Sequence, residues 1–414
     1  MTPPATIGGP KVRRPVALAL SIALWVGLGV GGTLLYVTHR GSAAPKGPAS
    51  VAASPGFSHV YPPDPVPFER PAVALTSPVV PASQRLHRGL TIHSLTALAR
   101  VTPTGTVVAE GSGTWRLTRP VELPATTSLS LRGPLRLELA PGAFLIAEHG
   151  AAIRLQQLTV VGVDRAGRPQ AHPTPGRGFI TARSGAVLQL RADRLIDLGH
   201  LGDQTYGVTA DGASSAFLVA GCTIRGSFFG VYLARLSGGT VSGNHVLDSV
   251  IYGIDPHTSD SHLRIVDNVV TGSGVHGIVL ADQVTNSVVS GNVVTRSRDH
   301  GIVIITSSND NVIRGNTVAA TFDGIVVKDS SGNQIVGNSV GPVARFGIRI
   351  SGASTGNQVL HNVVHHALLG MYLYDGATGN AVTANRFAAN YENVRVRRDA
   401  PGNTVTPTPP RSEL

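Results

Sequence analysis

The pattern of apolar and polar positions changes character twice along the chain. Residues 16–37, VALALSIALWVGLGVGGTLLYV, form an uncharged run of 22 residues, long enough to cross a bilayer as a helix. Residues 41 to about 85 are rich in Pro, Ala and Ser and carry no hydrophobic period, as expected of a spacer. Between residues 105 and 163 branched apolar residues alternate with polar ones, as in LRLELAPGAFLIAEHGAAIRLQQLTVVGV, and a period of two predicts strands. DRAGRPQAHPTPGRG at 164–178 interrupts the alternation as a loop.

From residue 193 the alternation becomes a repeat. A glycine preceded by a large or ionisable residue and followed by branched apolar ones recurs at Gly207, Gly230, Gly253, Gly277, Gly301, Gly324, Gly347 and Gly370, in steps of 23 or 24 residues. In phase with it run Asn244, Asn268, Asn292, Asn316, Asn338, Asn362 and Asn385. Such self-similarity is the mark of a solenoid. About 23 residues are too few for a helical hairpin and suffice for a coil of three short strands. The fold class expected is therefore all-β: a right-handed parallel β-helix with rungs about 4.8 Å apart, preceded by one N-terminal transmembrane helix. The asparagines form an inward ladder at a corner, and Cys222 falls in that series as a buried structural thiol. The expected organisation is a cytoplasmic N-terminus at 1–15, a signal anchor at 16–37, a linker at 38–85, a cap and early coils at 86–192, regular coils at 193–400 and a tail at 401–414.

Charge refines this picture. Lys11, Arg13 and Arg14 precede the apolar run, which favours a cytoplasmic N-terminus; GSAAP at 41–45 offers the alternative of a cleavage site. Both readings put the body outside the cytoplasm. Charged residues make up only 14% of the chain, yet the net charge is +10, so an anionic partner is expected: nucleic acid, acidic lipid or an acidic polysaccharide. Lysine occurs only at 11, 46 and 328; arginine is the better bidentate carboxylate binder, although a GC-rich genome gives the same bias. The single cysteine excludes an intrachain disulfide and a Cys-rich metal site. A monomeric body is expected.

Period-two alternation puts the positions one before, two after and four after each glycine on the outer face. The first column reads Tyr206, Phe229, Tyr252, His276, His300, Asp323, Phe346 and Leu369. Thr209, Tyr232, Asp255, Val279, Val303, Val326, Arg349 and Tyr372 form the second, and Asp211, Ala234, His257, Ala281, Ile305, Lys328, Ser351 and Tyr374 the third. Aligned rungs would make a groove for a linear polymer, with rings for sugar faces; a packed aromatic ladder under loops is the alternative. One rung breaks the pattern. In YGIDPH, Tyr252–His257, a proline sits where a parallel strand with partners on both sides normally excludes it. Tyr, Asp and His share one face there, and local violations concentrate where function lies.

Those residues suit proton transfer at a carbon alpha to a carboxylate. A base near neutral pKa is needed, which His257 supplies, with Tyr252 as a proton carrier on the opposite side and Asp255 orienting or binding hydroxyls. A cation must meet the carboxylate; Arg235, aligned with Thr258, and Arg298, two rungs on, are the candidates.

YGIDPHT resembles the Tyr-Gly-Phe/Ile-Asp-Pro-His-Asp/Glu signature of the bacterial mannuronan (alginate) C5-epimerases, which are right-handed β-helices. The likeness extends through DLGHLGDQTYGV, FFGVYLA and HGIVLADQVTNS and is sharp from about 195 to 310. It implies His257 as catalytic base, Tyr252 as acid and Asp255 as a site residue, on a poly-β-D-mannuronate-like polymer, so that the anionic partner is a polysaccharide and not nucleic acid. By this reading Arg235, Arg298, Tyr206, Phe229, Tyr232, His276, His300 and Lys328 would bind substrate. Two departures stand out: Thr258 replaces an acid, and Asp282 stands where periplasmic members carry an Arg soon after HGI.

A polysaccharide lyase shares the first proton abstraction. A non-catalytic β-helix that guides a polysaccharide, or an accessory protein like the copper-site maturation β-helices, is a different class. No cofactor is expected; some secreted epimerases use calcium, but no Asp/Gly-rich calcium repeat occurs. His257 and His276 fall in different columns and do not converge on a metal, and His361, His365 and His366 fall at a corner. Lys328, three rungs or about 14 Å from His257, suits a flanking carboxylate, with a plain surface lysine as the alternative.

Overall fold

The computed structural model describes residues 22–26, 33–37, 80–214 and 216–406, in two units, 1–74 and 75–414. In the first unit, Ile22–Val26 and Thr33–Val37 pair as antiparallel strands, Ile22 opposite Val37. The expected transmembrane helix over 16–37 otherwise lies outside the described residues, as do the linker up to 79 and the tail from 407. Where the run is described it is strand; the glycine-rich GLGVGG between the two strands is costly in a helix. Among the described residues no helix is long and apolar enough to cross a membrane.

The second unit is the expected β-solenoid. One sheet holds twelve parallel strands, each of the ten inner ones paired to the strand one coil before and one coil after. Most inward positions on its rungs are branched apolar residues: Val231, Ile254, Ile278, Ile302, Ile325 and Ile348 are all fully buried. Two further rows of three-residue strands complete each coil, and each turns one residue inward, as in Thr240–Ser242 around Val241 and His245–Leu247 around Val246. Burying each such side chain contributes roughly 1.5–3 kcal/mol, so the core is a column of stacked Val and Ile.

Why the glycine repeats is visible at Gly277. A Cβ there would lie 2.2 Å from Val294 Cγ1 and 2.6 Å from the Gly301 carbonyl. The strand enters the sheet so close to the row beneath it that no side chain fits.

At the corner between the two short rows the asparagines form the expected ladder. Asn292 Oδ1 accepts the Asn268 backbone N–H and amide at 2.9 Å each, and its own amide donates to Ile265 O and Asn316 Oδ1 at 2.9 Å. Cys222 is buried in this series, its N–H donating to Asn244 Oδ1 at 2.8 Å. A second ladder, not anticipated from the sequence, runs Ser287, Asn311, Asn333, Asn357, Asn380 and Asn403.

The helix Leu95–Val101 closes the N-terminal end. Ser94 Oγ accepts the Ala97 N–H at 3.1 Å, and Leu95 and Leu98 plug the core. The 164–178 segment leaves the solenoid as a loop and is tied back by Arg177. That fully buried guanidinium donates to the carbonyls of Gly199, Leu198, Gln170 and Ala171. Coils continue past the expected end at 400, since Thr404–Val405 still pairs with Ala381–Thr383.

Candidate active site

The twelve-stranded sheet holds all three outward columns, in the expected register. Ala234, His257, Ala281, Ile305, Lys328 and Ser351 are successive partners. Tyr232 sits opposite Asp255. At Pro256 the ladder to the next strand keeps only Ile254 opposite Ile278 and His257 opposite Ala281. The missing N–H is thus accommodated by a gap in the pairing, and the gap covers Asp255 and Pro256, immediately before His257.

The columns are not open to solvent, and here the structure corrects the sequence reading. Tyr206, Phe229, Tyr232, Tyr252, Asp255, His257 and His300 are all buried. The first column is a continuous stack: Tyr206 to Phe229 at 4.8 Å between ring centroids, Phe229 to Tyr252 at 5.2 Å, Tyr252 to His276 at 5.2 Å and His276 to His300 at 4.8 Å. Rings repeating at the rung spacing shield one another's faces, so Tyr206, Phe229 and His276 pack against protein where sugar stacking was expected.

His257 sits against Tyr232, with ring centroids 6.0 Å apart. Its Nδ1 lies 2.7 Å from Thr258 Oγ1; with Nδ1–H donating to that oxygen, Nε2 carries the lone pair a base requires. Burial lowers the His257 pKa to about 3, so the imidazole is neutral at rest. Burial raises the Tyr252 phenol well above its usual value, with Asp255 adding to the effect, which keeps it a proton donor.

Asp260, unremarked in the sequence, fixes the end of this strand. Its Oδ2 accepts the His257 N–H at 3.0 Å and its Oδ1 the Leu236 N–H at 2.7 Å. Thr258 and Ser259 between them adopt positive φ, 47° and 60°, folding the carboxylate back under the histidine. Burial pushes Asp260 up, and the two amide donors pull against it.

The two candidate cations are both placed away from the histidine. Arg235 follows Ala234 and donates its backbone N–H to Thr258 O, as the register implied, but its guanidinium pairs with Asp211. Gln204 Nε2 donates to the same carboxylate oxygen at 2.6 Å. Arg298 is exposed at a corner, beside a shallow cavity of about 560 Å³ lined also by Arg296 and Phe322. Lys328 is half-buried, three strands from His257 along one column.

A second charged cluster emerges further along the sheet. Asp323, fully buried, accepts from Arg345 Nε and Nη2 at 2.9 and 2.7 Å and from Arg349 Nε at 2.9 Å. Arg349 also donates to Tyr374 Oη and approaches His300 Nε2 at 3.5 Å. Burial, reinforced by Arg349 and Arg345, pushes His300 well below the usual histidine range. The charges sit in the first and second columns on consecutive rungs, a signal available by reading across the columns.

A parallel β-helix with one proline-interrupted rung and a Tyr/Asp/His face defines the class: a solenoid with a column of ionisable side chains along one sheet. The chain belongs to the family described as periplasmic copper-binding protein (NosD), whose model matches residues 180–367 and 307–410, together more than half of the chain. It is also similar to the mannuronan C5-epimerases. It is 28% identical over 169 residues to the mannuronan C5-epimerase of Pseudomonas aeruginosa, covering 37% of this chain and 31% of that protein. Against mannuronan C5-epimerase AlgG of Azotobacter vinelandii the identity is 26% over 169 residues, covering 37% and 32%. The aligned part thus spans about a third of these curated relatives. The crystal structure of the periplasmic alginate epimerase AlgG superposes with a TM-score of 0.66 at 20% identity, covering 77% of this chain and 84% of that one. That likeness carries the fold.

Proposed function

We propose that the protein is a C5-epimerase of a uronic-acid polysaccharide, poly-β-D-mannuronate-like, working outside the cytoplasm. One observation carries the reading: Tyr252, Asp255 and His257 share the outer face of the single rung that a proline interrupts. Relatives named as mannuronan C5-epimerases, and a fold neighbour named as periplasmic, support it. In this mechanism His257 Nε2 removes the C5 proton, the carboxylate takes up the electron pair as an ene-diolate, and Tyr252 or a water returns a proton to the opposite face. A uronate carboxylate beside His257 opposes the effect of burial and raises its basicity as substrate enters.

The family description also favours an accessory role tied to copper. The residues present do not fit such a site. Among the described residues no group of three or more His, Cys, Asp or Glu side chains is placed to hold a metal. Cys222 is buried in the asparagine corner, and Met371 is fully buried in the core. His365 and His366 face each other at a corner with Nδ1 atoms 2.9 Å apart, as a pair without a third ligand.

The test is solvent exchange at C5. Body residues 80–414 are incubated in heavy water with polymannuronate and other uronans, alongside His257→Ala. Deuterium at C5 in inverted residues, lost in the variant, is the expected outcome. Unsaturated, ultraviolet-absorbing products would reassign it as a lyase. No exchange on any uronan, with polymer binding intact, would favour a guiding scaffold.

A further inference from the structure

The carboxylate of a uronate needs a partner while C5 is deprotonated, because charge builds on its oxygens. Arginine is the ordinary solution, but Arg235 is held by Asp211, Arg298 is exposed at a corner, and Arg349 is bound to Asp323 four strands away. Asp282 follows the next rung. The group with spare bonding capacity on the proposed reacting face is Asp255. It is fully buried, neither of its oxygens has a hydrogen-bond partner, and it points outward two residues before His257. Tyr232 flanks it on one rung.

An ionised carboxylate cannot rest there: taken out of water and left unpaired, it costs many times what a neutral acid costs, so the group neutralises. Asp260 makes this sharper. Two buried carboxyls lie close, and Asp260 has two amide N–H donors to hold a negative charge while Asp255 has none. Burial and the Asp260 charge both push Asp255 well above the usual carboxylate range. Serine hydroxyls at 227, 249, 273 and 297 are also buried without partners, but a hydroxyl is neutral and carries no such consequence.

We propose that Asp255 acts as a carboxylic acid that donates a hydrogen bond to the substrate carboxylate, in the place an arginine would otherwise occupy. The inference rests on the epimerase reading and assigns the residue left open by it. As His257 breaks the C5–H bond and keeps the proton, the bonding pair moves into the C5–C6 bond and negative charge grows on the carboxylate oxygens. The Asp255 proton shifts toward the nearer oxygen. It returns to Asp255 when C5 is reprotonated, so no proton is gained or lost at that site over the cycle. A neutral donor also leaves the empty site without a buried charge, which an unpaired arginine would impose.

Asp255→Asn keeps an N–H donor and loses the acid; Asp255→Ala loses both. C5 exchange in Asp255→Ala is expected to fall by about 100-fold or more, as for loss of one oxyanion donor, while Asp255→Asn keeps at least about a tenth of wild-type exchange. Equal loss in both variants, with wild type active, overturns this inference alone, since a negative charge would then be what matters. Wild type that exchanges no uronan overturns the epimerase reading and the substrate role of Asp255 with it. Carboxyl-carbon NMR of aspartate-labelled protein, assigned by the Asn variant, reads protonation without substrate: a protonated Asp255 signal at pH 7 is expected, and an ionised one refutes the proposal. If the variants fail to fold, that signal in wild type, identified by its failure to titrate with the exposed aspartates, decides between the same two outcomes.

Discussion

Two rows of buried polar side chains run through this solenoid, and they are buried on opposite terms. At the corner each asparagine amide gives and receives its full set of bonds: Asn292 has four, all at 2.9 Å. On the outer face Asp255 is equally buried and has no bond at all. Repetition explains the first. An amide that bonds the coil above and the coil below finds all its partners where the neighbouring coils carry the same residue. The second is solitary, on a rung whose backbone pairing is itself interrupted by Pro256. Satisfied burial holds a fold together, whereas unsatisfied burial is held by the fold and kept for something else.

That contrast breaks most visibly at His257. His257→Ala is expected to lower C5 exchange by 10²–10⁴-fold, roughly the contribution of a positioned base, with the melting midpoint little changed. Full activity in that variant would dissolve the distinction. Asn292→Ala should do the reverse. It strands buried partners above and below, at about 3 kcal/mol, seen as a lower urea midpoint while turnover per folded molecule stays constant.

The pH dependence sharpens the comparison. Because burial lowers His257 below its unfolded value, the folded site stays neutral where the unfolded chain takes a proton. Stability from this group is therefore present above about pH 6.5 and is lost as the pH falls from there toward about 3. The acid limb of kcat/KM due to His257 accordingly lies well below 6.5. Thr258→Asp sets a carboxylate beside Nδ1, favours the imidazolium and should move that limb up by about one pH unit. A limb that stays put would remove Thr258 from the proton chemistry. The smallest effect is expected at Lys328: Lys328→Ala should raise KM about two- to threefold without changing kcat, given the modest worth of a partly exposed charge.

The fold was legible because its determinants repeat. The glycine column, the first asparagine ladder and the YGIDPH rung stand at fixed offsets, each set by a contact with the neighbouring coil. The second ladder escaped because its asparagines begin only at Asn311, with Ser287 before them, so the series occupies fewer coils than the first. Period two assigned the outward columns to the right face but could not show what covers them. Stacking of Tyr206, Phe229, Tyr252, His276 and His300 turned an expected open groove into packed rings. Asp260 lay beyond the last strand residue, where alternation stops and a positive-φ turn decides direction. Apolarity alone identified 16–37 as a membrane helix, and its described residues are strands. Apolar content does not discriminate helix from strand where glycine interrupts the run.

The rung-to-rung bonds have a bearing on how the chain reaches this state. Partners such as Asn268 and Asn292 are 24 residues apart, and the regular coils from Gly207 onward repeat that separation to within a residue or two, whereas the coil carrying the 164–178 loop is longer. Contacts of this kind across the 80–406 body correspond to a relative contact order of about 0.07, at the fast end normally occupied by helical bundles. A sheet protein of this length would ordinarily have to close long loops before any strand found its partner. Here each coil closes one short loop onto the coil beside it. Growth by accretion makes assembly time scale with the number of coils rather than with a search over the whole chain.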